Sequence, residues 1–223
     1  MSHLQRIETL SLDQTYALEV AARQLESEFV GVFNRETIEK FLASSYDQFA
    51  GHAKVINYLP LLAERFARQR LHALSRVENE PHDGKPVVLF LCVHNAGKSQ
   101  MALGFMKQLA GDRAIGWSGG SEPGTSLNEH SVAAMREVDI DISGEFPKPW
   151  TEEILKAADV VVTMGCGDAC PIYPGKRYLD WEIDALPGTS IENVRPVRDE
   201  IESRVRGLLT ELGVEIEDRV STS

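Results

Sequence analysis

The hydrophobic pattern divides the chain into two parts of different character. Over residues 1–76, apolar side chains recur at spacings of three and four, the period of a helix with one buried face. The pattern predicts three helices, with apolar stripes over residues 16–29, 38–49 and 56–74. Three such helices can bury one another, so a small helical bundle domain is predicted over residues 1–80.

From residue 86 the pattern is typical of strands alternating with helices. Val87–Leu91 and Val160–Met164 are continuous apolar runs rich in β-branched residues, as in buried parallel strands. Shorter strands are predicted at 114–117 and 177–179, and helices at 99–109, 128–138, 151–158 and from 191 or 198 to 212. This order predicts an α/β domain over residues 86–213, with a parallel sheet flanked by helices. The polar residues 77–85 predict a linker, and the acidic tail after Leu212 is expected to fray.

Composition narrows the classes of partner. The 223 residues carry a formal net charge of −11, which disfavours nucleic acid and anionic membranes as partners. The sequence contains neither an apolar run of the ~18 residues that a membrane helix needs nor a signal-peptide core, so a cytoplasmic protein is expected. An acidic chain can still bind an anion where main-chain N–H groups converge.

The candidate chemistry follows the first predicted strand directly. The segment there reads Cys92-Val93-His94-Asn95-Ala96-Gly97-Lys98-Ser99, and Ser99 opens a helix. A loop between a parallel strand and a helix N-terminus is a common anion site, since its N–H groups can converge on a tetrahedral oxyanion. Lys98 adds a charge, Ser99 can donate to the Cys92 sulfur, and this environment favours the reactive thiolate. Asn95 and Gly97 tolerate the left-handed backbone that such a loop needs.

Two other interpretations of this loop are weaker. A structural cysteine at a strand end is the first, because cysteine is commonly buried. A nucleotide-binding loop is the second, since Gly97, Lys98 and Ser99 match its last three positions. That loop needs glycine at position 92, where this chain has cysteine, so the match fails.

The segment from Val87 to Ala102 resembles the low-molecular-weight tyrosine phosphatases, and is most similar to the arsenate reductases built on that fold. Further matching segments lie at 117–120, 133–143, 159–166 and 194–201. The resemblance covers residues 86–213 and leaves out the N-terminal helices. It implies that Cys92 is a nucleophile and that residues 93–99 bind the oxyanion. The family normally has Arg where this chain has Lys98, and a point charge in place of a planar fork predicts weaker oxyanion binding.

Cys166 and Cys170 follow the second buried strand, so they are expected at the same sheet edge as Cys92. The resemblance to three-cysteine, thioredoxin-coupled arsenate reductases implies a relay among these three thiols. Cys92 would attack arsenate, Cys166 would attack the Cys92 sulfur and release arsenite, and Cys170 would form a disulfide with Cys166 that thioredoxin reduces. No cofactor is implied. A zinc site is disfavoured by the Cys-x3-Cys spacing. Inert loop thiols are the other alternative, in a phosphatase or in a reductase that uses a small thiol such as mycothiol.

The general acid of the family is an Asp directly before Pro, and the segment 180–187 lacks that pair. Ala185 falls at the acid position, and Asp184, one residue earlier, can substitute after a loop shift. Otherwise Asp180 and Asp184 are solvated loop acids. A phosphatase needs the acid to expel an alkoxide, so its loss mildly favours arsenate reduction. The Lys98 and Ala185 departures also leave open a non-catalytic oxyanion sensor that uses the helical domain to contact a partner.

Overall fold

The structure is a computed structural model that describes Leu4 and residues 10–50, 58–78, 83–165, 172–184, 186 and 190–217. The chain divides into two compact units, residues 1–80 and 81–223.

The N-terminal unit contains three helices that pack on one another, as the apolar stripes predict. They are α1 (Leu12–Glu28), α2 (Arg35–Ala50) and α3 (Leu59–Glu78). The start of α1 is stabilised by a capping box, in which Ser11 and Gln14 each accept a hydrogen bond from the main-chain N–H of the other. The core of the unit consists of the apolar side chains that face inward from all three helices: Leu18, Leu25, Ile38, Leu42, Tyr46, Phe66 and Leu71.

The second unit is an α/β fold around one parallel sheet. Its elements are β1 (Val87–Cys92), α4 (Lys98–Ala110), β2 (Ile115–Gly120), α5 (Glu129–Arg136), α6 (Glu152–Ala157), β3 (Val160–Thr163), β4 (Arg177–Asp180) and α7 (Ile191–Glu211). The four strands lie in the order β2-β1-β3-β4, and every neighbouring pair is parallel. The predicted fold class of this unit is therefore confirmed.

Strand β1 lies in the middle of the sheet and all six of its residues are buried. Successive side chains of a strand point to opposite faces, so Val88, Phe90 and Cys92 share one face. That face packs against α4 and α7, whose apolar residues belong to the same core. The carboxyl end of β1 is thus a rigid platform for Cys92.

Two segments differ from the sequence-based prediction, and the structure decides between two predicted starts of α7. Strand β2 continues to Gly120, which pairs with Cys92, because pairing with β1 overrides the low strand propensity of glycine. Helix α7 begins at Ile191, the earlier of its two predicted starts. It contains Pro196, whose missing N–H affects only the first turns of a helix held by the buried Val194 and Val197.

The second difference is the acidic tail, where the prediction of fraying is wrong for residues 214–217. Val214 is buried, and the N–H of Glu217 donates to the carbonyl of Leu109 at 2.8 Å. Arg113 also donates to the Glu215 carbonyl and to the Glu217 carboxylate. These contacts attach the start of the tail to the end of α4.

Candidate active site

Cys92 ends the central strand at the edge of the sheet where α4 begins. Its side chain is almost fully buried, and its sulfur lies 3.0 Å from the Ser99 hydroxyl oxygen. The five residues between β1 and α4 form a loop that turns the chain through this short distance. Met164 continues β3 at the same edge, because its N–H donates to the carbonyl of Leu91 at 2.8 Å.

The main-chain carbonyls of the loop are anchored by hydrogen bonds from outside it. Three of its carbonyls accept hydrogen bonds from amides outside the loop: Val93 from Glu122 (2.9 Å), His94 from Gly124 (2.8 Å) and Ala96 from Asn128 (2.8 Å). In a planar trans peptide the C=O and the following N–H point in opposite directions. The amides of His94, Asn95 and Gly97 therefore point away from these anchors, and a cluster of inward N–H groups is a site for an anion.

Asn95 orients the hydroxyl group that contacts the nucleophile. Its side-chain amide donates to the Ser99 oxygen at 2.8 Å, so that oxygen acts as an acceptor there. A serine hydroxyl has one proton, which is then available to the Cys92 sulfur. Asn95 has a φ of 47° and is fully buried, and asparagine tolerates this left-handed conformation better than most residues. The same residue thus shapes the loop and prepares the thiolate for attack.

A pocket of about 420 Å³ opens above Cys92. Its wall includes the loop and residues from three other segments of the unit: Asn128, Met164, Gly165 and Leu186. The Lys98 ammonium donates to the carbonyl of Ile183 at 3.2 Å, and lies 3.6 Å from the position that a Cβ on Gly165 would take. The pocket therefore combines the Cys92 thiol, main-chain amides of the loop and the Lys98 cation. These are the groups needed for nucleophilic attack on a tetrahedral oxyanion.

Gly120 is required by close approach of the main chain, and Gly97 packs closely against two side chains. A Cβ on Gly120 would lie 2.6 Å from the main-chain oxygen of Val93, so β2 can touch the loop only through glycine. A Cβ on Gly97 would lie 2.3 Å from Leu186 Cδ1 and 3.1 Å from Ser131 Oγ. The expected left-handed backbone at Gly97 is wrong, since its φ is −138°; a Cβ there would displace the flexible end of the Leu186 side chain.

The structure brings together Cys92, the loop, Lys98 and Ser99. His94 also lines the pocket; it is exposed, and its ring nitrogen contacts the Glu122 carbonyl at 3.1 Å. Asp184 is exposed, and it follows Ile183, which binds Lys98. Cys166 and Cys170 lie outside the described residues, although Gly165, which directly precedes Cys166 in the chain, lines the pocket.

Sequence reasoning missed the residues that support the loop from behind. The side-chain amide nitrogen of Gln100 donates to the Asn95 main-chain oxygen at 3.0 Å and to the Phe146 carbonyl at 3.0 Å. The N–H of Lys148 donates to Asn95 Oδ1 at 3.0 Å. A polar Gln inside the apolar first turns of α4 was the one available signal for this network.

The described part of the chain shows neither a membrane span nor a group of metal ligands. None of the helices in the described part of the chain combines the length and apolar composition needed to cross a lipid bilayer. Among the described residues, which exclude Cys166 and Cys170, no three His, Cys, Asp or Glu side chains are grouped as metal ligands.

Comparison with known families agrees with this geometry. Residues 87–218 match the family described as low molecular weight phosphotyrosine protein phosphatase. The chain belongs to that family. Residues 18–75 of this phosphatase-family chain match a second family, the protein-tyrosine-phosphatase-like N-terminal domain. Both units therefore have counterparts in known proteins.

The relatives of this phosphatase-family chain include arsenate reductases. Arsenate reductase 1 of Staphylococcus epidermidis is 38% identical over 125 residues, which are 54% of this chain and 93% of that protein. The arsenate reductase of Halalkalibacterium halodurans is 39% identical over 132 residues, or 55% of this chain and 94% of that protein. A solved thioredoxin-dependent arsenate reductase of Corynebacterium glutamicum is 40% identical with a TM-score of 0.80, covering 90% of this chain and 98% of its own. That likeness extends over both units.

Proposed function

We propose that this protein reduces arsenate to arsenite, with Cys92 as the nucleophile and thioredoxin as the reductant. The observation that carries the proposal is the Cys92 sulfur at 3.0 Å from the Ser99 hydroxyl, at the base of a loop that lines the pocket. The similarity to arsenate reductases selects arsenate among tetrahedral oxyanions. We place the reaction in the cytoplasm, where thioredoxin keeps thiols reduced.

Arsenate binds in the loop before it reacts. Its oxygens accept hydrogen bonds from the amides of residues 93–98, and the positive end of the α4 dipole favours the anion. Lys98 contributes its charge from the rim of the pocket. These donors are already oriented by the anchored carbonyls, so little reorganisation is needed when negative charge develops on the oxyanion.

The first chemical step forms a bond between sulfur and arsenic. The Cys92 thiolate, stabilised by the Ser99 hydroxyl, attacks the arsenic atom of arsenate. One arsenate oxygen takes up protons and leaves as water. We propose Asp184 as the acid that supplies a proton, since it adjoins the residue that holds Lys98.

The second step transfers two electrons to arsenic. The Cys166 thiolate attacks the Cys92 sulfur, an S–S bond forms, and the electron pair of the S–As bond passes to arsenic. Arsenic(V) becomes arsenic(III) and leaves as arsenite. Support for this step comes from Met164 and Gly165, which bring the chain to the rim of the pocket immediately before Cys166.

The remaining steps restore the Cys92 thiolate. Cys170 attacks Cys166, displaces Cys92 and leaves a Cys166–Cys170 disulfide, which the dithiol of thioredoxin reduces. The similarity to a thioredoxin-dependent enzyme over both units supports this choice of reductant.

The decisive experiment follows NADPH consumption with thioredoxin, thioredoxin reductase and arsenate. We expect arsenate-dependent consumption by the wild type and none by Cys166→Ser or Cys170→Ser. Activity only with a mycothiol system would overturn the choice of thioredoxin. An enzyme that binds arsenate but turns over with neither reductant would be an oxyanion sensor.

A single-turnover experiment without thioredoxin separates the roles of the two cysteines. Reduced wild type and Cys170→Ser should each release one arsenite per chain, ending with a Cys166–Cys170 and a Cys92–Cys166 disulfide respectively. Cys166→Ser should release none. Peptide mapping by mass spectrometry identifies the disulfides, and any other pairing would contradict the relay.

Phosphatase activity is the second candidate, because the matching family is described as a phosphotyrosine protein phosphatase. Hydrolysis of p-nitrophenyl phosphate, unaffected by Cys166→Ser and Cys170→Ser, would favour it. Under our proposal this hydrolysis is slow compared with arsenate reduction.

A further inference from the structure

A lysine ammonium is enclosed in the second unit behind the oxyanion loop. The side chain of Lys148 is only 2% exposed, the lowest value for any charged residue in the described part of the chain. Its ammonium donates to the Phe146 carbonyl at 3.2 Å and lies 4.6 Å from the centroid of the Phe146 ring. The Glu145 carboxylate is 3.6 Å away.

Burying a charge is unfavourable unless strong partners replace water. Glu145 offers only part of that compensation, because its other carboxylate oxygen is bound at 2.6 Å by Lys107. The carbonyl of Phe146 and the face of its ring also contact the ammonium. An apolar side chain of the same length would avoid this cost, so the ammonium is expected to serve something other than stability.

The two ends of Lys148 are both connected to Asn95. Its main-chain N–H donates to Asn95 Oδ1 at 3.0 Å. The carbonyl that accepts from its ammonium also accepts from Gln100 Nε2, which in turn contacts the main-chain and side-chain oxygens of Asn95 at 3.0 and 3.1 Å. Asn95 then donates to the Ser99 hydroxyl beside the Cys92 sulfur.

We propose that Lys148 is a positioning residue for oxyanion binding. Its buried ammonium holds the Phe146 carbonyl, and through Gln100 and Asn95 it keeps the loop amides in the orientation that receives the oxyanion. Lys148 does not touch the oxyanion itself. The inference deepens the proposed function, and it requires only that the loop binds a tetrahedral anion.

The test measures binding of inorganic phosphate by calorimetry, which does not depend on arsenate turnover. In Lys148→Met the main-chain N–H remains but the ammonium is lost, so we expect phosphate affinity to fall by on the order of 10-fold. Lys107→Met is the matched control, because Lys107 pairs with the same carboxylate from a surface position. It should bind phosphate like the wild type.

A double-mutant cycle tests the route through Asn95. If Lys148 acts through Asn95, the double variant Asn95→Ala/Lys148→Met should bind phosphate no more weakly than Asn95→Ala alone. Additive losses would overturn the route. Where arsenate turnover is present, Lys148→Met should raise KM more than it lowers kcat.

Loss of stability alone must be separated from misplacement of the loop. Val205→Ala creates a cavity in the α7 face of the core and should lower thermal stability with unchanged phosphate affinity. If Lys148→Met does not fold, Lys148→Leu takes its place, since it also lacks a donor for the Phe146 carbonyl. Wild-type phosphate affinity in the folded Lys148 variant would overturn the proposal. Absence of phosphate binding in the wild type would instead remove the proposed function.

Discussion

The Lys98 ammonium donates a hydrogen bond of 3.2 Å to the main-chain carbonyl of Ile183. Lys98 opens α4, whereas Ile183 lies in the segment after β4, so this bond joins the oxyanion loop to a distant part of the sheet edge. An ammonium has three donors, and this one therefore shares its hydrogen bonds between the protein and the pocket. An arginine would offer a planar fork of five donors.

Substitutions of Lys98 should act on oxyanion binding. Lys98→Met removes a charged donor worth roughly 1.5–3 kcal/mol, which corresponds to a rise in KM of about 10- to 100-fold. Lys98→Arg should lower KM, because a guanidinium can bind two oxyanion oxygens at once. Steady-state kinetics with varied arsenate measure both. A higher KM in Lys98→Arg would show that oxyanion binding depends more on the hydrogen bond from Lys98 to Ile183 than on a planar guanidinium.

Ser99→Ala should slow the attack by Cys92. The hydroxyl that stabilises the thiolate is lost, and a hydrogen bond to a charged group is worth roughly 1.5–3 kcal/mol, so kcat/KM should fall by about 10- to 100-fold. The rate of Cys92 alkylation by iodoacetamide should fall with it. Ser99→Thr keeps the hydroxyl and should retain most of the activity. Equal alkylation rates in wild type and Ser99→Ala would contradict the role of this contact.

The role of Asp184 can be tested against a nearby aspartate. Asp180 accepts a hydrogen bond from Thr163 Oγ1 at 2.6 Å and serves as the control. If Asp184 is the proton donor, Asp184→Asn should lower kcat for arsenate by about 100-fold or more, and Asp180→Asn should leave it near the wild-type value. If the two variants have similar kcat values, Asp184 is not the proton donor and is a solvated loop acid.

Gly120→Ala should disturb the oxyanion loop from the side of β2. The added Cβ would lie 2.6 Å from the main-chain oxygen of Val93, so one strand or the loop must shift, at a cost of about 1–3 kcal/mol. The melting temperature and the affinity for phosphate should both fall. Gly207→Ala is the matched control. It lies inside α7 with open space around it, so it should raise stability by about 0.5–1 kcal/mol without changing activity.

The stability that Glu137 gains from Arg195 and Arg198, between α5 and α7, should depend on pH. Hydrogen bonds from Arg195, and then from Arg198, lower the pKa of Glu137 from 4.5 to about 2. A carboxyl with a lower pKa in the folded state stabilises the protein above its unfolded pKa and loses that effect as pH falls. The difference in unfolding free energy between wild type and Glu137→Gln should be constant above about pH 4.5 and vanish near pH 2. Urea unfolding at a series of pH values measures it, and a difference that grows on acidification would contradict this pairing.

Much of the secondary structure was predicted from local patterns in the sequence. The three N-terminal helices and the buried strands β1 and β3 are confirmed because each has a regular period or an unbroken apolar run. The end of β2 was missed because Ser118, Gly119 and Gly120 have weak strand propensity, and only pairing with β1 makes them a strand. The left-handed backbone expected at Gly97 is absent, because its φ is −138°, and its contact with Leu186 joins positions 89 residues apart.

The sequence by itself determined that a cysteine ends a buried strand, that Lys98 and Ser99 open the next helix, and that a helical unit precedes the α/β unit. These features follow from side-chain periodicity and short spacings, which are local properties of a chain. Only the tertiary structure decided how the loop amides are aimed, because their orientation depends on hydrogen bonds from Glu122, Gly124 and Asn128. It also decided that Lys148 is enclosed behind Asn95, 53 positions earlier in the chain. Contacts between distant positions leave no period in the sequence, so they become visible only when the chain is folded.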